Sequence, residues 1–67
     1  MSTLNLDFIK SRRTGLGLSQ SYMADKLGFS NSSVYWKYER GIYKFNAEML
    51  PALAKVLKCN IQNFFTR

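Results

Sequence analysis

Few of the side chains in this sequence suit catalysis, and most of those that could carry chemistry are cations. The chain has no histidine, a single cysteine, Cys59, and only four carboxylates. These counts exclude a metal site built from His and Cys within one chain, and no basic partner is evident that would activate the thiol as a nucleophile. No phosphate-binding loop of the G-x-x-x-x-G-K type occurs. We therefore expect no enzyme activity, no cofactor and no metal.

The charge balance favours binding to a polyanion. Ten lysines and arginines stand against four acidic residues, which gives a net charge of +6 on 67 residues. A strong positive field on so small a surface makes nucleic acid the first candidate partner and an anionic membrane the second. The alternative is that the excess of basic residues serves only solubility. No apolar run is long enough to cross a bilayer and no secretory signal is visible. We therefore expect a cytoplasmic protein that does not bind membranes.

Caps, glycines and apolar spacing predict five short helices and no strand, within a single domain spanning residues 1–67. The predicted helices cover residues 6–14, 20–27 and 32–40, then a segment from 46 that is bent or delayed by Pro51, and a last turn over 60–65. Asn5, Ser19, Asn46 and Asn60 are the expected N-caps.

The stretch from Gln20 to Gly41 has the features that two helices crossing at a sharp turn require. Ala24 provides a small residue at the crossing, and Gly28, four residues later, tolerates the positive φ of the turn. The apolar residues that would fix the crossing angle are Met23, Leu27, Phe29, Tyr35 and Tyr38. The pattern predicts a helix-turn-helix at about 19–40.

At these residues the sequence resembles the phage repressor and Cro family of helix-turn-helix regulators, often called XRE-like. The matching residues are Leu18-Ser19-Gln20, Met23-Ala24, Leu27-Gly28-Phe29-Ser30, Glu39-Arg40-Gly41 and Leu53-Ala54 with Leu57. The resemblance covers nearly the whole chain. It implies an all-α, compact, five-helix lambda-repressor-like domain that binds double-stranded DNA sequence-specifically and regulates transcription, as a phage-type repressor or Cro-like protein.

The interval from Gly28 to Glu39 is one residue longer than the family pattern. A register with no extra residue in the turn would bury Lys37 without a partner, which costs several kcal/mol. We therefore place the extra residue in the turn, so that Tyr35 and Tyr38 become the buried anchors.

The resemblance implies that the third helix enters the major groove, and this register exposes its candidate base contacts. Asn31 could pair with adenine, and Lys37 could read guanine or hold a phosphate. Trp36 could pack on a thymine methyl or a sugar, or could simply pack on the domain. The candidate base contacts are Asn31, Ser32, Ser33, Trp36 and Lys37.

Candidate phosphate contacts flank the same helix. Gln20 begins a helix, where backbone N–H groups attract phosphate, and the resemblance implies that this residue clamps the DNA backbone. Arg40, Tyr43 and Lys44 lie just past the third helix and could hold the DNA backbone on the other side of that helix. The alternative for Lys44 is an ordinary solvated charge. The candidate phosphate contacts are Gln20, Ser30, Arg40, Tyr43 and Lys44.

The resemblance also pairs Arg13 with Glu39 in a partly buried, structural salt bridge. It further suggests a homodimer on a palindromic operator, with Phe64 and Phe65 as a candidate apolar seam unless they complete the monomer core. No small-molecule ligand is expected. The alternative function is a protein-interaction adaptor or antitoxin-like module with the same fold, because fold does not dictate function.

Overall fold

The computed structural model describes residues 4–65, and every regular element among them is helical. The four α-helices are α1 (Leu6–Gly15), α2 (Gln20–Leu27), α3 (Ser32–Glu39) and α4 (Leu50–Val56). Two 3₁₀ helices accompany them, at Ala47–Met49 and Ile61–Phe65. The described chain is therefore all-α, as predicted, but the fifth predicted helix is a 3₁₀ helix, so the α-helices number four.

Pro51 explains why the fourth helix starts late. The segment that Asn46 caps opens as a 3₁₀ turn, and α4 begins only at Leu50. Pro51 then lies in the first turn of α4, where a missing N–H leaves no intrahelical hydrogen bond unmade. The chain thus changes from 3₁₀ to α geometry immediately before the proline.

Side-chain caps set the first residues of the helices. Asn5, Ser19, Asn31 and Asn46 each accept a hydrogen bond from the backbone N–H three residues later, at 3.0–3.1 Å. The last turn differs from the prediction, which gave Asn60 as its N-cap. There the backbone N–H of Asn60 donates to the side-chain Oδ1 of Asn63. These bonds satisfy amide groups that helix starts leave unpaired.

One apolar core lies between the helices. Its fully buried members, each with 0% exposure, are Ile9, Met23, Tyr35, Leu53, Leu57 and Phe64. Of the two alternatives for Phe64, completion of the monomer core is confirmed and the seam that includes Phe64 is wrong. Its ring lies edge-on to Phe8 at 6.1 Å, and its carbonyl accepts a hydrogen bond from the Asn5 backbone N–H. Phe65, in contrast, is exposed.

An arginine in α1 caps the end of α4. The Nε of Arg12 donates to the carbonyl of Leu57 and its Nη2 donates to the carbonyl of Lys58, both at 2.8 Å. Lys58 itself has a φ of 55°, in the left-handed region. Arg12 thus holds the carboxyl end of α4 against α1, since helix ends leave carbonyl groups without intrahelical donors.

Candidate nucleic-acid interface

The crossing of α2 and α3 depends on one small residue and one glycine. Ala24 is 2% exposed within the core, and its carbonyl accepts a hydrogen bond from the Phe29 backbone N–H at 2.8 Å. Gly28 ends α2 with a φ of 80°, a conformation that residues with a side chain rarely adopt. The turn from α2 to α3 therefore has the local geometry that the sequence predicts.

Two tyrosines fix the rotation of α3 about its axis. Tyr35 is completely buried, and Tyr38 is half-buried with its ring stacked on Phe29 at a centroid distance of 4.7 Å. The opposite side of α3 consequently faces solvent. Ser33 and Trp36 are exposed there, whereas two further candidate base contacts, Ser32 and Lys37, are half-buried.

The candidate base contact Asn31 also has a structural role. It lies on the surface as the N-cap of α3, and its Oδ1 accepts a hydrogen bond from the Val34 backbone N–H at 3.1 Å. Its amide nitrogen remains available as a donor. Ser30, immediately before it, is exposed on the same turn.

Cations lie near two aromatic rings, one on α3 and one on the loop that follows it. The Cζ of Arg40 lies 5.2 Å from the Trp36 ring centroid, and the Nζ of Lys37 lies 5.4 Å from the Tyr43 ring centroid. Both distances fall within the range of cation–π attraction. The exposed surface of α3 and of the loop that follows it is therefore aromatic and positively charged.

The loop after α3 is held against the end of that helix. The carbonyl of Lys37 accepts hydrogen bonds from the backbone N–H groups of Ile42 and Tyr43, at 2.9 and 3.2 Å. Gly41 makes this turn possible with a φ of 84°. Tyr43 and Lys44 are both exposed, so the structure brings them to the carboxyl-terminal flank of α3.

Glu39 connects α3 to both preceding helices. Its carboxylate accepts two hydrogen bonds from Arg13, at 2.8 and 3.1 Å, and one from the Tyr35 hydroxyl at 2.8 Å. The Nε2 of Gln20 donates a fourth, at 3.3 Å. Glu39 is 6% exposed and Arg13 is 8% exposed, so the ion pair is buried and its hydrogen bonds are satisfied.

The surroundings of Glu39 favour its charged form. Burial alone would raise the pKa of its carboxyl group, but hydrogen bonds from Arg13 and Tyr35, together with the Arg13 charge, outweigh burial and hold this pKa below the ordinary value of 4.5. Hydrogen bonding to Glu39 also raises the pKa of Arg13. The pair is therefore charged at neutral pH, and the adjacent Arg13 compensates the negative charge of Glu39.

Gln20 lies where the sequence predicts, at the first position of α2, but it is half-buried and linked to Glu39. Spacing alone gave no signal of that link, which depends on how α2 and α3 cross. The Ser19 side chain pairs with the Tyr22 N–H, and the earlier amides of α2 have no intrahelical partner. These amides can donate to an anion.

Other kinds of site find no support among residues 4–65. No three His, Cys, Asp or Glu residues lie close enough together in that range to hold a metal ion. Burial raises the pKa of the half-buried Cys59 thiol, which opposes formation of a nucleophilic thiolate. No helix in the described part of the chain is long and apolar enough to span a membrane.

Comparison with known proteins agrees with this geometry. The chain is similar to the P22 c2 repressor protein in its crystal structure with synthetic operator 9T in the presence of Tl⁺, with a TM-score of 0.79, 26% sequence identity and coverage of 97% of each chain. No curated protein sequence matches. The sequence model of the helix-turn-helix family matches residues 9–64. The chain belongs to the helix-turn-helix family.

Proposed function

We propose that this protein is a sequence-specific DNA-binding regulator of transcription, a repressor that inserts α3 into the major groove of double-stranded DNA. The observation that carries the proposal is the positively charged and aromatic outer face of α3, which is fixed by the buried Tyr35 and flanked by a loop with two exposed polar side chains. The similarity to a repressor bound to its operator supports the same function. A helix presented in this way fits the major groove, where base edges are distinguishable.

The proposed reading surface is the side of α3 opposite Tyr35 and Tyr38. Ser33 and Trp36 are exposed on it, and Asn31, exposed at the amino-terminal end of α3, keeps its amide nitrogen as a donor. Ser32 and Lys37 lie at the edges of this surface, because each is half-buried. Hydroxyl groups discriminate weakly among bases, so most of the specificity falls to the larger side chains.

Phosphate contacts are proposed on both flanks of α3. On one side, the first amides of α2 and the side chain of Gln20 would hold the backbone, together with Ser30 in the turn. On the other side, Tyr43 and Lys44 would hold it, and their loop is already fixed to the Lys37 carbonyl. Such contacts position the protein and make its affinity depend on salt.

Two copies would bind a palindromic operator. One short helix reaches only a few base pairs, and two-fold symmetry doubles the contacts. Because Phe64 is buried, the proposed seam uses the exposed Phe65 and the surface around it. Phe65 borders an apolar groove of about 460 Å³ that Leu6, Tyr43 and Leu50 also line.

The same groove is the observation that favours the alternative, a protein-interaction adaptor. Its rim includes the exposed side chains of Tyr43 and Phe65, and Ile42 beside it is 58% exposed. Apolar surface of this kind often marks a protein contact. A protein partner bound there would tolerate salt far better than DNA does.

Selection from a pool of random duplexes tests the proposal. Repeated rounds of binding should enrich one short sequence with two-fold symmetry, and native mass spectrometry of the selected duplex should show two chains bound. Enrichment of an asymmetric half-site with one chain bound would contradict the dimer while retaining DNA recognition. A pool that stays random would contradict sequence-specific binding.

A further inference from the structure

Arg40 differs from the other described arginines because its side-chain donors are not used inside the protein. Arg12 donates to two carbonyls at the end of α4, and Arg13 donates to Glu39 and to the carbonyl of Leu18. Arg40 is exposed, and within residues 4–65 its side chain makes no hydrogen bond or ion pair. Among these three arginines, only Arg40 therefore presents a complete set of guanidinium donors to a ligand.

The Trp36 ring determines where that guanidinium lies. Trp36 precedes Arg40 by four residues, so the two side chains are neighbours on one face of α3. The 5.2 Å distance from the Arg40 Cζ to the ring centroid places the guanidinium beside the exposed Trp36 ring. Trp36 belongs to the proposed reading surface, whereas the sequence alone assigned Arg40 to the phosphate flank.

Packing against an aromatic ring suits base recognition better than a phosphate contact. The guanidinium is planar, and its paired N–H groups match the O6 and N7 acceptors of guanine in the major groove. The ring restricts the side chain before DNA binds, so less conformational entropy is lost on forming a contact with fixed geometry. Lys37 is a weaker candidate for this role, because its ammonium group carries no planar pair of donors.

We propose that Arg40 is a specificity-determining residue that reads one guanine in each half-site through the major groove, with Trp36 as its positioning platform. The inference rests on the proposed function, since it assigns a residue within the same DNA interface. It replaces the phosphate role that the position of Arg40 at the end of α3 suggests.

The first test is selection of DNA by the Arg40→Met variant, which keeps most of the length of the side chain and removes every guanidinium donor. The variant should lose its preference for guanine at one position of the half-site, by roughly tenfold or more, while its preferences at the other positions stay those of the wild type. Lys44→Ala is the matched control, because loss of a phosphate contact should weaken binding to all sequences and lower the salt dependence.

The second test uses 7-deazaguanine, which lacks the N7 acceptor, at the selected position. Wild-type protein should bind this duplex several-fold more weakly than the guanine duplex, and Arg40→Met should bind both alike. Trp36→Leu should reduce the preference for guanine with Arg40 still present, because the platform is removed. Far-UV circular dichroism establishes that each variant is folded.

The two proposals fail in different ways. If Arg40→Met selects the same sequences as the wild type, Arg40 reads no base. If it loses affinity equally for every sequence, Arg40 is a phosphate contact. Either result contradicts the inference although DNA recognition stands. If the wild type itself enriches no sequence, the proposed function is wrong and the inference falls with it.

Discussion

Arg13 and Glu39 join the end of α1 to the end of α3 through two hydrogen bonds, from Nε to Oε2 at 2.8 Å and from Nη2 to Oε1 at 3.1 Å. The same carboxylate accepts hydrogen bonds from Tyr35 and Gln20. The Glu39 carboxylate therefore holds both Tyr35, the buried anchor of α3, and Gln20, the first residue of α2. The position of the proposed reading surface relative to the first phosphate contact depends on this ion pair.

Replacing Glu39 should lower the free energy of unfolding of the domain and have a smaller effect on its base preference. Glu39→Gln leaves the Arg13 charge buried without its partner, and breaking a buried pair in this way costs about 3 kcal/mol. Urea denaturation measures the loss in free energy of unfolding. Glu48→Gln is the matched control at an exposed site and should change stability by less than about 0.5 kcal/mol. A folded Glu39→Gln protein of wild-type stability that selects a different operator would contradict the structural role.

Stability should fall in acid because the native state lowers the pKa of Glu39. The unfolded chain takes up this proton near pH 4.5, whereas the folded protein resists protonation until a lower pH. The contribution of the Arg13–Glu39 pair to the free energy of unfolding is thus fully present above pH 4.5. It disappears as the pH falls through the lower pKa that Glu39 has in the folded protein. Urea denaturation at a series of pH values between about 3 and 7 tests this. Glu39→Gln should show a weaker dependence, and an identical slope in both proteins would rule out Glu39 as its source.

Two backbone positions with positive φ should respond in opposite directions. Lys58 has a φ of 55° with a side chain, so Lys58→Gly should stabilise the protein by up to about 1 kcal/mol while keeping the carbonyl that Arg12 binds. Gly28→Ala should destabilise it by about 1 kcal/mol, although no atom lies within 4 Å of the added Cβ. Thermal denaturation of the two variants separates these effects. A stabilising Gly28→Ala would be incompatible with a left-handed turn between α2 and α3.

Asn31 has two proposed roles that different substitutions separate. Asn31→Ala removes the cap on Val34 and should cost about 1 kcal/mol of stability. Asn31→Ser retains a capping oxygen but removes the amide nitrogen, so it should keep stability while changing base preference at one position of the operator. Denaturation and DNA selection on both variants provide the two measurements. Unchanged selection by Asn31→Ser would leave Asn31 as a cap only.

Local signals in the sequence were sufficient for the helices and for the turn between α2 and α3. The caps Ser19 and Asn46 and the positive φ of Gly28 depend on residues close in the chain, and their chemistry is readable from residue type. The cost of burying Lys37 excluded the alternative register of the third helix, and this was enough to predict that Tyr35 would be buried. The 3₁₀ geometry of the last turn carries no comparable sequence signal, since 3₁₀ and α turns begin with similar residues.

Contacts between distant residues were the part that sequence could not supply. Arg12 donates to carbonyls at the end of α4 that lie 45 and 46 positions later in the chain. The hydrogen bond from Gln20 to Glu39 joins residues 19 positions apart. Residue type identifies each of these side chains as a donor without indicating which acceptor the fold brings to it. The same limitation applies to Phe64, because an apolar side chain near a terminus suits a core or an interface equally well until the packing is known.

The central claim is that α3 reads DNA sequence, and the most direct measurement is the affinity for the selected duplex and for a scrambled duplex across a salt series. We expect affinity for both to fall steeply as salt rises, with the selected duplex bound at least a thousandfold more tightly at physiological salt. Equal affinity for the two duplexes would contradict sequence-specific recognition. Absence of binding even at low salt would contradict any DNA-binding role and favour a protein partner at the groove beside Phe65.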